Sequence, residues 1–105
     1  MTHLSQQVTP LTMDSVLGFW KTVQVDSEKT CLIALNNGGA SGRYGAQLER
    51  CQIQEFSSVR SWVLNGDTFD LVAADGRRVA RFRPTALDSF ADVSGTFRLE
   101  RAAVQ

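Results

Sequence analysis

Two cysteines are the residues of this 105-residue chain that are best suited to chemistry. Cys31 and Cys51 are separated by nineteen residues, form no C-x-x-C motif, and share the chain with a single histidine, His3. A zinc site needs more ligands, and a catalytic thiolate needs a positioned base, than this pattern supplies. We therefore favour a structural disulfide, with two buried free thiols, or redox or metal chemistry, as the alternatives.

A disulfide across a loop of this length would stabilise a small domain by about 3 kcal/mol in the chain-entropy model. It would also indicate an oxidising compartment. The opening segment MTHLSQQVTP lacks the apolar region of a secretory signal, and no stretch approaches the ~20 apolar residues of a membrane span. We therefore expect an exported protein whose signal has been replaced by Met1.

The carboxylates offer no paired acid and base. They fall mainly in predicted turns, where such side chains usually accept hydrogen bonds from backbone N–H groups: Asp26, Glu28, Asp67, Asp75 and Asp88. A triad would need a histidine within the fold. The chain is therefore predicted not to be an enzyme and to hold neither a metal nor a cofactor.

The charges do not favour nucleic acid as a partner. Eleven basic and eleven acidic residues give a formal net charge of zero. The densest basic patch fits a solvated strand face and comprises Arg77, Arg78, Arg81 and Arg83. GGASG lies between two predicted strands, which is typical of a hairpin loop and not of a phosphate-binding turn. A binding or inhibitory module is the remaining expectation.

The predicted elements divide the chain at residue 11. Residues 1–11 are polar and aperiodic, so we expect a flexible N-terminal arm. Thr12 or Asp14 is placed to cap a short helix, and Gly18 is placed to end it. Short apolar runs with turn signals every 8–12 residues then predict antiparallel strands over 19–25, 30–35, 43–49, 61–65, 68–74, 78–84, 89–93 and 96–102, with a helical turn within 52–58.

Eight short strands in sequence order can close into a barrel, which leaves no free edge. We predict an all-β fold over residues 12–105: a small eight-stranded antiparallel up-and-down β-barrel with a short N-terminal helix and one disulfide. A barrel of this size would be filled by its own side chains. Pro84 is predicted to end the sixth strand because it cannot donate to a ladder.

Several segments occur in a recognisable order: LGFW (17–20), CLIAL (31–35), the cysteine at 51, SWVLNGDTFDLVAADGRRVARF (61–82) and GTFRLERA (95–102). Together they resemble the bacterial metalloprotease-inhibitor family Inh, which includes the alkaline-proteinase inhibitors and related outer-membrane lipoproteins. The resemblance runs from about Thr12 to Ala102. It implies an eight-stranded barrel with one disulfide.

The resemblance also implies a partner and a location. The partner would be a secreted zinc metalloprotease of the serralysin type, and the location the periplasm or outer membrane. In such inhibitors the N-terminal arm enters the protease cleft while the barrel rests on its rim. By position, the protease-binding residues would be Ser5, Gln6, Gln7, Val8, Thr9, Pro10 and Leu11. We also expect a monomer, with membrane attachment through a lipidated N-terminus as an option.

Two other functions fit the same residues. The G-x-W sequence at Gly18–Trp20 is also found in lipocalins, where tryptophan closes the barrel floor beneath an arginine, here Arg98 or Arg101. The chain would then be a small-ligand carrier of the lipocalin or avidin kind. A structural domain of an outer-membrane lipoprotein is the third hypothesis. Trp62 is predicted to lie in the core, and Tyr44 in an ordinary hairpin.

Overall fold

The computed structural model describes residues 11–38 and 43–102. Within these ranges one short α-helix, α1 (Met13–Val16), precedes the strands, and a 3₁₀ turn (Gln54–Phe56) separates the third strand from the fourth. The strands are β1 (Gly18–Gln24), β2 (Thr30–Leu35), β3 (Tyr44–Glu49), β4 (Val59–Asn65), β5 (Thr68–Ala73), β6 (Arg78–Ala86), β7 (Ser89–Asp92) and β8 (Phe97–Arg101).

The eight strands form one closed antiparallel barrel in sequence order. Each strand pairs with the next, and β8 returns to pair with β1. The closing register places Trp20 opposite Arg101 and Thr22 opposite Leu99. The predicted up-and-down barrel with a short N-terminal helix is therefore confirmed.

Two of the predicted boundaries that the structure corrects involve Pro84 and Gly18. The strand β6 runs past Pro84 to Ala86, because the missing N–H of the proline falls where the register with β7 shifts, between Pro84 and Ala86. The helix ends at Val16, and Gly18 opens β1 with φ at +126°. The start of the helix is as predicted for Thr12, whose Oγ1 accepts a hydrogen bond from the Ser15 backbone N–H at 3.3 Å.

Seven buried aromatic side chains fill the barrel. Every second residue of a strand faces inward, so Phe69 and Leu71 of β5 share the core face. Phe69 lies at the centre, with its ring centroid 5.1–6.0 Å from those of three neighbouring aromatic residues. The seven are Trp20, Phe56, Trp62, Phe69, Phe82, Phe90 and Phe97.

Cys31 and Cys51 form the disulfide, which confirms that prediction. Arg50 adopts a left-handed conformation, with φ at +50°, and turns the chain just after β3. The Gln52 backbone N–H then donates to the Thr30 carbonyl oxygen at 2.8 Å. The bridge therefore ties the start of β2 to the segment that leads into the 3₁₀ turn.

The two ends of the barrel are closed differently. The helix end carries α1, the β4–β5 turn and the β6–β7 turn. The disulfide end carries the β1–β2, β5–β6 and β7–β8 turns together with the 3₁₀ turn, whose Phe56 packs 4.7 Å from Phe97. This division decides which surfaces lie beside the N-terminal arm.

Candidate functional site

The candidate site is the helix end, because residues 1–10 join the barrel there. The Leu11 backbone N–H donates to the Gly66 carbonyl oxygen in the β4–β5 turn at 3.0 Å. The half-buried Leu11 side chain packs against the core. These two contacts attach the last residue of the predicted arm to the barrel.

Trp20 forms the floor beneath this attachment point. Its ring is completely buried and meets Phe90 edge to face at 5.2 Å. The indole Nε1–H donates to the Val16 carbonyl oxygen at 2.7 Å. That bond satisfies the one polar atom of the ring, and it also ties the last turn of α1 to β1.

The side chain of Arg101 covers the Trp20 ring. Its guanidinium carbon lies 4.0 Å from the Trp20 ring centroid, a cation–π contact. The same guanidinium donates to the Leu17 carbonyl oxygen at 2.6 Å and to Asp88 Oδ1 at 3.2 Å. One side chain therefore joins α1, β8 and the β6–β7 turn.

Steric hindrance explains why the first residue of the G-x-W sequence, Gly18, is a glycine. At Gly18, a Cβ would lie 2.7 Å from Nη1 of Arg101, and φ is +126°, which L side chains rarely adopt. The backbone of Gly18 and the arginine over Trp20 therefore depend on each other.

Arg98, the other arginine considered for the floor, lies elsewhere. It alternates with the inward-facing residues of β8, and its exposed side chain reaches Glu100 Oε2 at 3.9 Å. The pleat of the strand puts Arg98 on the outer face, so the stacking prediction is wrong for this residue. An exposed ion pair of this kind contributes little to stability.

Of the seven residues predicted to bind a protease, the structure describes Leu11 alone. The other six, Ser5, Gln6, Gln7, Val8, Thr9 and Pro10, lie outside the described residues. Their role stays a prediction.

The hairpin loop after β2 is anchored by Trp62, as far as the structure describes it. Trp62 is fully buried, as predicted, and its Nε1–H donates to the Asn36 carbonyl oxygen at 2.9 Å. Tyr44 packs against the same indole at 5.0 Å between centroids. A Cβ on Gly45 would lie 2.5 Å from the Asn36 side chain, so this part of the loop sits close to β3.

Sequence reasoning missed Leu87 in the β6–β7 turn. Its side chain is 92% exposed, against about half for Phe19, Val25 and Val93. An apolar residue in a turn belongs to no periodic pattern, so no sequence signal predicted whether this side chain would be buried.

The ionisable groups of the described residues include one close ion pair and no group of metal ligands. Among residues 11–38 and 43–102, no three His, Cys, Asp or Glu side chains come together as metal ligands. Arg81 makes a two-pronged pair with the mostly buried Asp70, at 2.8 Å and 3.1 Å. The hydrogen bond from Arg81 to Asp70 raises the pKa of the guanidinium above its ordinary value.

Comparison with known proteins identifies the family. The family model for protease inhibitor Inh matches residues 10–99, which include every strand of the barrel except the last two residues of β8. No curated protein matches the sequence. None of the helices in the described ranges is long and apolar enough to cross a bilayer. Since the match spans most of the chain, this protein belongs to the protease inhibitor Inh family.

Proposed function

We propose that the protein inhibits a secreted zinc metalloprotease of the serralysin type by inserting its N-terminal arm, residues 5–11, into the protease cleft. The family supports an inhibitor with a protease as its partner. The choice of a zinc enzyme and of the arm rests on the resemblance described from the sequence. The observation that carries the arm proposal is the attachment of Leu11 to Gly66 and the core at the helix end.

That attachment favours an arm mechanism for an energetic reason. A peptide that enters a cleft loses conformational freedom, and fixing one of its ends beforehand lowers the cost. The bond from Leu11 to Gly66 fixes the C-terminal end of the arm on a rigid barrel. Ten residues beyond it reach at most about 35 Å when extended, which is ample for a protease cleft.

The arm needs little sequence specificity. An extended peptide in a cleft pairs mainly through its backbone, so the bland residues Ser5 to Thr9 are compatible with tight binding. Pro10 would reduce the entropy lost on extension, since its φ is already fixed.

The filled barrel argues against the ligand-carrier alternative. Carriers of drug-sized ligands need cavities of roughly 300 Å³ or more. Here the axis is occupied by closely packed aromatic side chains, with Phe69 in contact with Trp62, Phe82 and Phe90. An inhibitor with a rigid, self-filled body fits this interior better.

The setting of the inhibitor is also part of the proposal. The disulfide suits an oxidising compartment, so we place the protein in the periplasm or at the outer membrane. We propose that it acts as a monomer, with a lipidated N-terminus as an additional means of membrane attachment. The zinc of the target would belong to the protease.

A panel of proteases tests the target class. The full chain is titrated against a serralysin-type zinc protease, a serine protease and a cysteine protease, with peptide substrates. The proposal predicts inhibition of the zinc enzyme only, competitive with substrate because the arm would occupy the cleft. Inhibition confined to a serine or cysteine protease would overturn the target class. Activity of all three enzymes left unchanged would favour a structural envelope domain.

A further inference from the structure

Leu87 is exposed beside the point where the arm joins the barrel. Single exposed apolar residues are common on protein surfaces and need no explanation. Leu87 differs because it borders a surface groove of about 380 Å³ between α1 and the β6–β7 turn. Leu11, Pro84 and Ala86 supply further apolar lining, so the exposed side chain belongs to a larger apolar surface.

The turn that presents Leu87 is held in place. Asp88, the next residue, has φ at +59°, and its carbonyl oxygen accepts a hydrogen bond from the Arg101 backbone N–H at 3.1 Å. Its carboxylate accepts a second from the Arg101 guanidinium, which stacks on the buried Trp20. The backbone that carries Leu87 therefore loses little freedom on binding, which favours its use as an interface anchor.

We propose that Leu87 and this groove form a second protease contact, which binds an apolar patch on the rim of the cleft. This inference rests on the proposed function. Leu11 lines the groove and is also the attachment point of the arm. A protease that holds the arm in its cleft must therefore meet the barrel at the surface around Leu11, where Leu87 projects. Asp14 and Ser15 on the α1 side give this apolar contact a polar border.

The test compares Leu87→Ser with Val93→Ser in the full chain. Val93 is a matched control: it is also an exposed apolar turn residue, at 50%, but it lies at the disulfide end. With a serralysin-type protease, L87S is expected to raise Ki about tenfold or more, mainly through faster dissociation. V93S is expected to leave Ki unchanged. Both variants should melt at the wild-type temperature, because neither side chain is buried.

Each other outcome overturns the contact. An unchanged Ki for L87S, beside potent inhibition by the wild type, removes this contact and leaves arm insertion standing. A lowered melting temperature with unchanged Ki means that the chain itself covers Leu87. Analytical ultracentrifugation could also show that the wild type is a dimer and that L87S dissociates it, with Ki unchanged. In that case a second copy of the chain covers Leu87. No inhibition by the wild-type chain overturns both the contact and the proposed function.

Discussion

At the scale of single residues, Arg101 does the most to organise the helix end. Its guanidinium covers Trp20, donates to the Leu17 carbonyl oxygen and holds Asp88 in the neighbouring turn. Lysine could not replace this geometry, since only the planar guanidinium can stack on the indole and donate in several directions at once. The positions of α1 and of the turn that carries Leu87 both depend on this side chain.

Arg101→Met should therefore destabilise the barrel by about 2 kcal/mol, because it removes the stacked charge and leaves the Leu17 carbonyl oxygen without that donor. Chemical denaturation measures the change. Arg98→Met is the matched control on the same strand, and its exposed side chain predicts a change within about 0.5 kcal/mol. Equal effects of the two substitutions would contradict the role given to Arg101.

From the sequence, Arg101 was only one of two arginines predicted to cover Trp20; the other was Arg98. Alternation along β8 puts Arg101 on the side of the apolar Phe97 and Leu99 and Arg98 on the opposite side, but it does not show which residue of β1 lies beneath Arg101. The answer lies in the closing register, where Trp20 of β1 is opposite Arg101 of β8. Such a pairing joins the two ends of the chain and depends on barrel closure, so local sequence cannot supply it.

At the scale of elements, the predictions were best where a turn is strongly specified. The bounds predicted for β2, Thr30–Leu35, are those observed, because the Asn-Asn-Gly-Gly sequence that follows favours a turn. The strand β4 begins at Val59, two residues before its predicted start at Ser61. The register shift with β5 between Val59 and Ser61 breaks the alternation there and hides the start of the strand.

At the scale of elements, the testable prediction concerns the contribution of the disulfide to stability. It closes a loop with a sequence separation of 20 and fixes the segment that carries the 3₁₀ turn. Replacing Cys31 and Cys51 by alanine should lower the free energy of unfolding by about 3 kcal/mol, because the unfolded chain regains the entropy that the crosslink removes. Urea denaturation measures this loss.

A reducing agent provides the control for the disulfide prediction. It should bring the wild type close to the double variant and leave the double variant unchanged. Loss of inhibition by the folded, reduced protein would be unexpected, because the bridge lies at the end of the barrel opposite Leu11. A double variant as stable as the wild type would show that the crosslink contributes nothing.

At the scale of the whole molecule, the barrel is a rigid support with a filled interior. The closed sheet has every strand paired on both sides, and aromatic side chains occupy its axis. This architecture could be predicted from the strand count and turn spacing. The exposed Leu87 could not, since its exposure depends on how the β6–β7 turn projects beyond α1.

The central claim is that the N-terminal arm carries the inhibitory contact and that Leu11, its last residue, attaches it to the barrel. Its most direct test is the Ki of residues 1–105 and of residues 11–105 against a serralysin-type zinc protease, with thermal melting to verify that both chains are folded. The account predicts equal melting temperatures and a loss of inhibition in the shorter chain of at least a hundredfold, as expected when an interface loses its principal contact. Equal Ki values for the two folded chains would contradict it.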